Sequence, residues 1–272
     1  MALIEIQGLS VFYGTPRRPI LDKIDLKIER GEFVCILGQT GCGKSTLLRM
    51  LLGSEHSPHG KILIAGREHK QPDCTRGYVP QKYSLFPDKT VLDNITFGAE
   101  VSEFGLFGCL RPAYYRRRRE LRARAFQYLE RIGLHKADAC KYPDQLSGGM
   151  QQRVAIAQAL MTDPPILLMD EAFSALDPGT RKGMQKLIRD LWQATGTTIL
   201  FVTHNTHEAV SLASRVIVLA KDSPEVGSRI RLDLQIPQPC RADQILQLIR
   251  GLEKVSEGAE KNQDAEQVAV CP

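Results

Sequence analysis

The chain has 272 residues, 43% of them hydrophobic, which suits one large α/β domain or two intimately joined subdomains with a sizeable core. Its apolar runs are strand-sized, far short of the roughly 20 residues a membrane-spanning helix needs, and residues 1–5 carry no basic region leading into a long apolar stretch, so a cytosolic location is expected. A net charge of +5 suits an anionic ligand, a membrane surface or nucleic acid without choosing among them, and seven scattered cysteines read as free thiols in a reducing compartment.

Ile4 and Ile6, then Ile24, Leu26 and Ile28, alternate at the period of half-buried strands and predict a small β-rich lobe. Residues 33–37 form a continuous apolar run that opens into glycines, and from Ser45 onward Leu47, Leu48, Leu51 and Leu52 supply the buried face of a helix. In that strand–loop–helix frame Gly38-Gln39-Thr40-Gly41-Cys42-Gly43-Lys44-Ser45 satisfies G-x-x-x-x-G-K-[ST]. Gly38, Gly41 and Gly43 let successive N–H groups turn toward phosphate oxygens, and the helix N-terminus adds a favourable partial charge. Lys44 is expected at the β- and γ-phosphates of ATP, the Ser45 hydroxyl on Mg²⁺, and Thr46 at the α-phosphate. The competing reading, a glycine-rich turn with no ligand, does not account for the flanking strand and helix. Cys42 reads as a small filler of the loop, with a depressed thiol pKa if Lys44 and the helix N-terminus act on it.

Between residues 91 and 160 the pattern becomes helical, with Leu121, Ala125, Leu129 and Ile132 at helical spacing before the breakers Gly133 and Pro143. Consecutive arginines at 116–119, flanked by Phe104, Phe107, Tyr114 and Tyr115, spread around a helix and predict a solvated face, with lipid headgroups or a membrane partner as the alternative. Ser147 is placed to cap a helix whose first N–H groups, near Gly148 and Gly149, offer a second anion site. After Pro164-Pro165 come two buried strands, 166–169 and 198–202, whose alternation with helices favours parallel pairing and right-handed crossovers. The first ends in Asp170-Glu171, and ligands in such sheets sit beyond the carboxyl ends of strands. Asp170 could hold Mg²⁺ through its shell and Glu171 could orient and deprotonate a water, or the pair could cap the next helix. From Gly251 the composition predicts a disordered tail.

Leu146-Ser147-Gly148-Gly149-Met150-Gln151-Gln152-Arg153, ahead of those acids, resembles the signature sequence of ABC ATPases, and the likeness covers the chain to about Leu219. It implies an α/β fold: a P-loop ABC ATPase with a RecA-like parallel-sheet core, an antiparallel β lobe and a helical subdomain. The ATPase domain would be residues 1–220, with the helical subdomain at about 91–160, a C-terminal extension at 221–250 and the disordered tail at 251–272. The resemblance further implies a head-to-tail dimer holding two ATP molecules, each between one subunit's phosphate loop and its partner's Ser147, Gly148 and Gly149. It assigns Tyr13 to stacking on adenine, Gln81 to sensing Mg²⁺ and the permease, Asp177 to the Ser174-Ala175-Leu176-Asp177 motif, and His204 to the γ-phosphate. Taken singly, Tyr13 could be a lobe-edge aromatic, Gln81 a loop residue, Asp177 a helix cap and His204 a strand-end histidine. Catalysis is thus expected of Glu171, His204, Lys44 and Gln81, and metal binding of Ser45, Gln81 and Asp170. Met150 and Ala172 depart from the common Gln and Pro, without removing a group that touches phosphate or metal.

Tyr142-Pro143-Asp144-Gln145, Leu92-Asp93-Asn94-Ile95 and Phe201-Val202-Thr203-His204 with Glu208-Ala209-Val210 are similar to bacterial importer ATPases, nearest to the nitrate, sulfonate, taurine and bicarbonate group. The run from Asp170 to Pro178 equally resembles glycine betaine and choline importers. The partners implied are a second ATPase subunit, identical or paralogous, an integral membrane permease and a solute-binding protein, with the chain peripheral on the cytoplasmic face of the inner membrane. A soluble ABC-type ATPase acting on nucleic acid is disfavoured by the lack of a coiled-coil insertion and of a tandem ATPase unit, and a nucleotide-regulated scaffold by the presence of both Glu171 and His204.

Overall fold

The computed structural model describes residues 2–15, 17–56, 59–69, 71–82, 85–105, 112–174, 176–221, 223, 225–237 and 242–256. In chain order the elements are β1 (Ala2–Tyr13), β2 (Arg18–Glu29), β3 (Phe33–Leu37), α1 (Lys44–Leu52), β4 (His59–Ile64), β5 (Arg67–Glu68), β6 (Arg76–Val79), α2 (Val91–Phe104) and α3 (Pro112–Arg131). Two short 3-10 turns, Lys136–Cys140 and Pro143–Gln145, lead to α4 (Gly148–Leu160), β7 (Ile166–Asp170), α5 (Pro178–Thr195), β8 (Thr198–Thr203), α6 (Thr206–Leu212), β9 (Arg215–Ala220), β10 (Arg229–Gln235) and α7 (Ala242–Ser256). They fall into two compact units, Met1–Asp73 with Ala194–Pro272, and Cys74–Gln193.

The first unit holds an antiparallel lobe in the order β2-β1-β4-β5. The alternation read from the sequence becomes cross-strand pairs, Ile4 with Ile28, Ile6 with Leu26 and Leu9 with Ile24, all buried on one face. Beside the lobe, β3 lies between β8 and β9, parallel to both, with β10 antiparallel on β9. β3 is buried throughout because both of its edges and both of its faces are covered, which is why it reads as an unbroken apolar run. Arg215 at the start of β9 ties these parts together. It forms a bidentate pair with Asp233 on β10 at 2.6 and 2.7 Å, meets Glu32 at 3.2 Å and donates to the Lys27 carbonyl on β2 at 2.8 Å.

The C-terminal boundary drawn from composition falls inside a helix. α7 runs to Ser256 and packs on α6 and β9, with Ile249 and Leu252 buried three residues apart on one face. Two well-placed apolar side chains anchor a segment whose average polarity predicts disorder; residues 257–272 lie outside the described residues.

In the second unit β6 and β7 pair in parallel, Arg76 opposite Ile166 through to Val79 opposite Met169, and α2, α3 and α4 pack together. Leu121, Ala125, Leu129 and Ile132 are buried at the spacing that predicts α3. The segment leading into α2 is held by Asn94, which is fully buried. Its Oδ1 accepts from the Phe86 N–H at 2.8 Å, and its Nδ2 donates to the carbonyls of Phe86, Lys89 and Thr90 at 3.0 to 3.1 Å. Removing this side chain takes four hydrogen bonds away from the backbone of this segment. Asn94→Ala is expected to lower the unfolding free energy by about 2–3 kcal/mol, read from urea denaturation, whereas a loss within about 0.5 kcal/mol would mean that the loop is held by other contacts.

Candidate functional site

The phosphate-loop residues leave β3 at its carboxyl end, level with the carboxyl end of β8, because Leu37 pairs with Thr203. Gly41 and Gly43 stand at φ +82° and +95°, in the left-handed region that L side chains avoid. Space closes the same choices. A Cβ on Gly43 would lie 2.8 Å from Leu21 Cδ2, and one on Gly38 would lie 2.3 Å from the Leu219 carbonyl oxygen. The loop winds around Lys44, whose buried Nζ donates to the carbonyls of Gly38 at 2.7 Å and Gln39 at 2.9 Å. The N-cap of α1 is Gly43, which offers no side-chain acceptor, and the first turn holds no acid. The leading N–H groups of α1, with Ser45 half-buried and Thr46 buried beside them, are therefore left with the polarity that an anion would complement.

Cys42 departs from the depressed-pKa expectation. It is buried, and burial pushes its thiol up, with nearby Lys44 offsetting only part of that. The filler reading is the one the structure supports.

Tyr13 closes β1, partly exposed, and its hydroxyl donates to the Glu55 carboxylate, which also lies 3.2 Å from Arg49 Nε on α1. Burial and the Glu55 carboxylate both raise the Tyr13 pKa, so the phenol stays protonated. Glu55 was not singled out from the sequence, since nothing local links it to a tyrosine 42 positions earlier. His204 follows β8 and is exposed, while the backbone on either side of it is fixed. Thr203 Oγ1 donates to the buried Glu208 carboxylate at 2.7 Å and accepts from the Asn205 N–H at 3.0 Å, and Asn205 caps α6 through the Glu208 N–H at 3.2 Å. Glu208 matters here as a brace for the turn that carries His204, a role the sequence does not signal.

In the second unit the pairing of Val79 with Met169 sends Gln81 and Glu171 off the same edge. Gln81 Nε2 donates to Glu171 Oε2 at 3.2 Å. Asp170, buried, ends β7, and Glu171 stands at φ +43°, an unusual conformation for a residue with a side chain, stabilised where its carbonyl accepts from the Ser174 N–H at 3.0 Å. Ala172 and Phe173 are buried behind it, which gives the small residue at 172 a packing role.

Ser147 caps α4, its Oγ accepting from the Met150 N–H at 3.3 Å, while Gln151 Nε2 braces the preceding turn through the carbonyls of Pro143 at 2.8 Å and Leu146 at 3.2 Å. A Cβ on Gly149 would sit 2.6 Å from Thr180 Cγ2, so a side chain there would have to push Thr180 aside. Asp177 Oδ1 accepts from the N–H groups of Gly179 and Thr180 at 3.1 Å each, and the bonds from Thr180 and Gly179 hold its carboxyl below the usual range. Asp177 therefore caps α5. Ser147 and Gly149 also line a cavity of about 220 Å³ with His135, Asp138, Arg153 and Thr180. The site residues thus form two groups: the phosphate loop, Tyr13 and His204 in the first unit, and Gln81, Asp170, Glu171, Ser147, Gly148, Gly149 and Asp177 in the second.

Residues 21–174 match the family model described as ABC transporter. The chain is 38% identical to the aliphatic sulfonates import ATP-binding protein SsuB of Bacillus licheniformis, over 87% of this chain and 86% of that protein. It is 42% identical to the taurine import ATP-binding protein TauB of Rhizobium johnstonii, over 85% of this chain and 84% of the relative. Among solved structures, a dimeric post-hydrolysis state of an ATP-binding cassette bound to ADP and Pi is similar at a TM-score of 0.70 and 29% identity, covering 86% of this chain and 99% of the other.

The burial of Cys42 has a direct chemical consequence. At neutral pH iodoacetamide is expected to modify the exposed Cys74 and Cys140 about tenfold or more faster than Cys42, measured by peptide mass spectrometry; comparable rates would contradict the raised thiol pKa.

Proposed function

The chain belongs to the ABC transporter family, and on that premise we propose that it is the ATP-hydrolysing subunit of a bacterial importer that takes up a sulfonate- or taurine-like small anion. The observation that carries the hydrolytic reading is the Gln81–Glu171 hydrogen bond beyond the paired ends of β6 and β7. It supplies a carboxylate with a fixed direction, as a base that positions water requires. Similarity to sulfonate and taurine import subunits across 85–87% of the chain supports this substrate class over the glycine betaine and choline alternative.

In this reading Lys44 and the N–H groups of the Gly38–Ser45 loop bind the β- and γ-phosphates, and Tyr13, braced by Glu55, stacks on adenine. The Ser45 hydroxyl and the Asp170 carboxylate are hard oxygen donors of the kind Mg²⁺ takes, and a bound Mg²⁺ would offset the charge of the phosphates. Glu171 accepts the proton of the attacking water, Gln81 keeps its carboxylate aimed, and His204 donates to the γ-phosphate. Two subunits work as a dimer. Ser147, with the N–H groups of Gly148 and Gly149, binds the nucleotide held by the partner's phosphate loop, and Asp177 orders the loop beside it. The partner is a second copy or a paralogue. Closure of the dimer on ATP and its release after hydrolysis move a separate membrane permease fed by a solute-binding protein, with the chain held peripherally on the cytoplasmic face of the inner membrane.

Glu171→Gln is expected to keep ATP binding, to lower hydrolysis by about 100-fold or more, and to hold a nucleotide-dependent dimer visible by light scattering. Lys44→Ala is expected to weaken ATP binding itself. Wild-type turnover by Glu171→Gln would remove Glu171 as the base. Capture of the Glu171→Gln protein with ATP from detergent-solubilised membranes should bring a polytopic permease, whereas ribosomal or DNA-associated partners in its place would overturn the importer reading.

A further inference from the structure

We infer that the outward face of α3, centred on Tyr115, Arg116 and Arg119, is a docking surface for the anionic headgroups of a phospholipid bilayer. The sequence of α3 contains seven arginines and two glutamates, and the structure sorts the arginines by partner. Arg117 is engaged by Glu103 and Glu120 at 2.8 Å, Arg118 by Asp93 at 3.2 Å and Glu100 at 3.3 Å, Arg122 by Asp93 at 2.5 Å, and Arg124 by Asp163. Those pairs lock α3 onto α2 and onto the turn after α4. Arg116 and Arg119 are exposed and have no acidic partner among the described residues. They stand in the N-terminal half of the helix, away from the end at which the macrodipole favours cations, so their charge does nothing for the helix itself.

The aromatic beside them points the same way. Tyr115 is 67% exposed, the most exposed large hydrophobic side chain among the described residues, and it is supported from behind. Phe104 meets Tyr114 edge-on with ring centroids 5.5 Å apart, and Tyr114 meets Tyr115 at 5.5 Å. At helical spacing Tyr115, Arg119 and Arg116 fall within about 100° of arc, and Ala123, one turn on, extends that face without a charge. Glu120 flanks the face but is engaged by Arg117.

Two uncompensated guanidinium groups one turn apart, with a phenol between water and apolar surroundings, complement a layer that is anionic at its surface and apolar beneath. A single acidic protein loop would satisfy the arginines but would not use the propped tyrosine. Each basic residue near such a surface contributes roughly fivefold to membrane partition, so the face by itself binds weakly and acts by orienting a subunit that its permease already holds nearby. The proposal rests on the importer reading only for that biological setting.

The test uses the full chain with vesicles of phosphatidylglycerol and phosphatidylcholine, against vesicles of phosphatidylcholine alone, read by co-sedimentation at low and high salt. Wild-type protein is expected to partition onto the anionic vesicles and to be released by salt. Arg116→Glu with Arg119→Glu should bind them at least about tenfold less well, and Tyr115→Ala should lose part of the binding, with unchanged thermal melting and unchanged basal ATP hydrolysis. Retention of the charge-reversed protein on anionic vesicles, or no salt-sensitive binding by the wild type, would overturn the assignment. If the wild type ignores vesicles while the charge reversal uncouples the reconstituted permease, the face belongs to an acidic permease loop and the lipid assignment is wrong. Capture of the permease by the Glu171→Gln protein reports on the importer reading separately from any of these results.

Discussion

The turn out of β3 has to aim a row of backbone N–H groups inward around a buried lysine, and much of the first unit is arranged to permit it. That backbone path needs positive φ at Gly41 and Gly43. It also needs close approach, since Leu21 of β2 stands where a Gly43 side chain would be and the Leu219 carbonyl of β9 where a Gly38 side chain would be. The antiparallel lobe and the edge of the parallel sheet are thus the walls that set the loop's shape, and Arg215, bonded to β10, to Glu32 and to the β2 backbone, keeps those walls in register. A loop held this way would bind phosphate without first having to order itself, which is the advantage of building an anion site on backbone groups.

The second unit fixes the direction of a carboxylate. The Gln81 amide donates to Glu171 beyond the paired ends of β6 and β7, which is the orientation that the proposed role as a base would use. The positive φ at Glu171 is a cost at the same spot, offset in part by the Ser174 N–H that its carbonyl accepts. Asp177 has a local role that stands without any functional one: its bonds to Gly179 and Thr180 account for its lowered pKa and for the start of α5.

What was legible in the sequence is what depends on local pattern. The phosphate loop, the alternation of β1 and β2, the apolar spacing of α3 and the capping serine at position 147 are each encoded within a few residues, and each stands where those residues place it. The supports are not local. Glu55 reaches Tyr13 across 42 positions, and the brace formed by Glu208 depends on which way the β8–α6 turn folds. Composition failed at α7 for a related reason. A windowed average cannot see that Leu252 is fully buried where α7 packs on α6 and β9, and one buried leucine outweighs several polar neighbours that remain in water. Cys42 is the converse case, in which proximity in sequence to Lys44 suggested activation but burial dominates.

Net charge shows the same limit most sharply. A value of +5 is compatible with an anionic ligand, a bilayer or a nucleic acid, because a sum carries no positions. Folding cancels part of it internally. Arg215 is taken up by Glu32 and Asp233, and Arg117, Arg118, Arg122 and Arg124 by five carboxylates drawn from α2, α3 and the turn after α4. Lys44 is held at the phosphate loop, where backbone carbonyls enclose its ammonium in a setting that suits a discrete phosphate chain, whereas Arg116 and Arg119 stay on the outside of α3. These two arginines face outward on a helix surface beside an exposed aromatic, where an extended anionic layer is the complementary partner. The same formal charge therefore serves two kinds of recognition, and what separates them is the burial and hydrogen bonding that folding imposes on each cation.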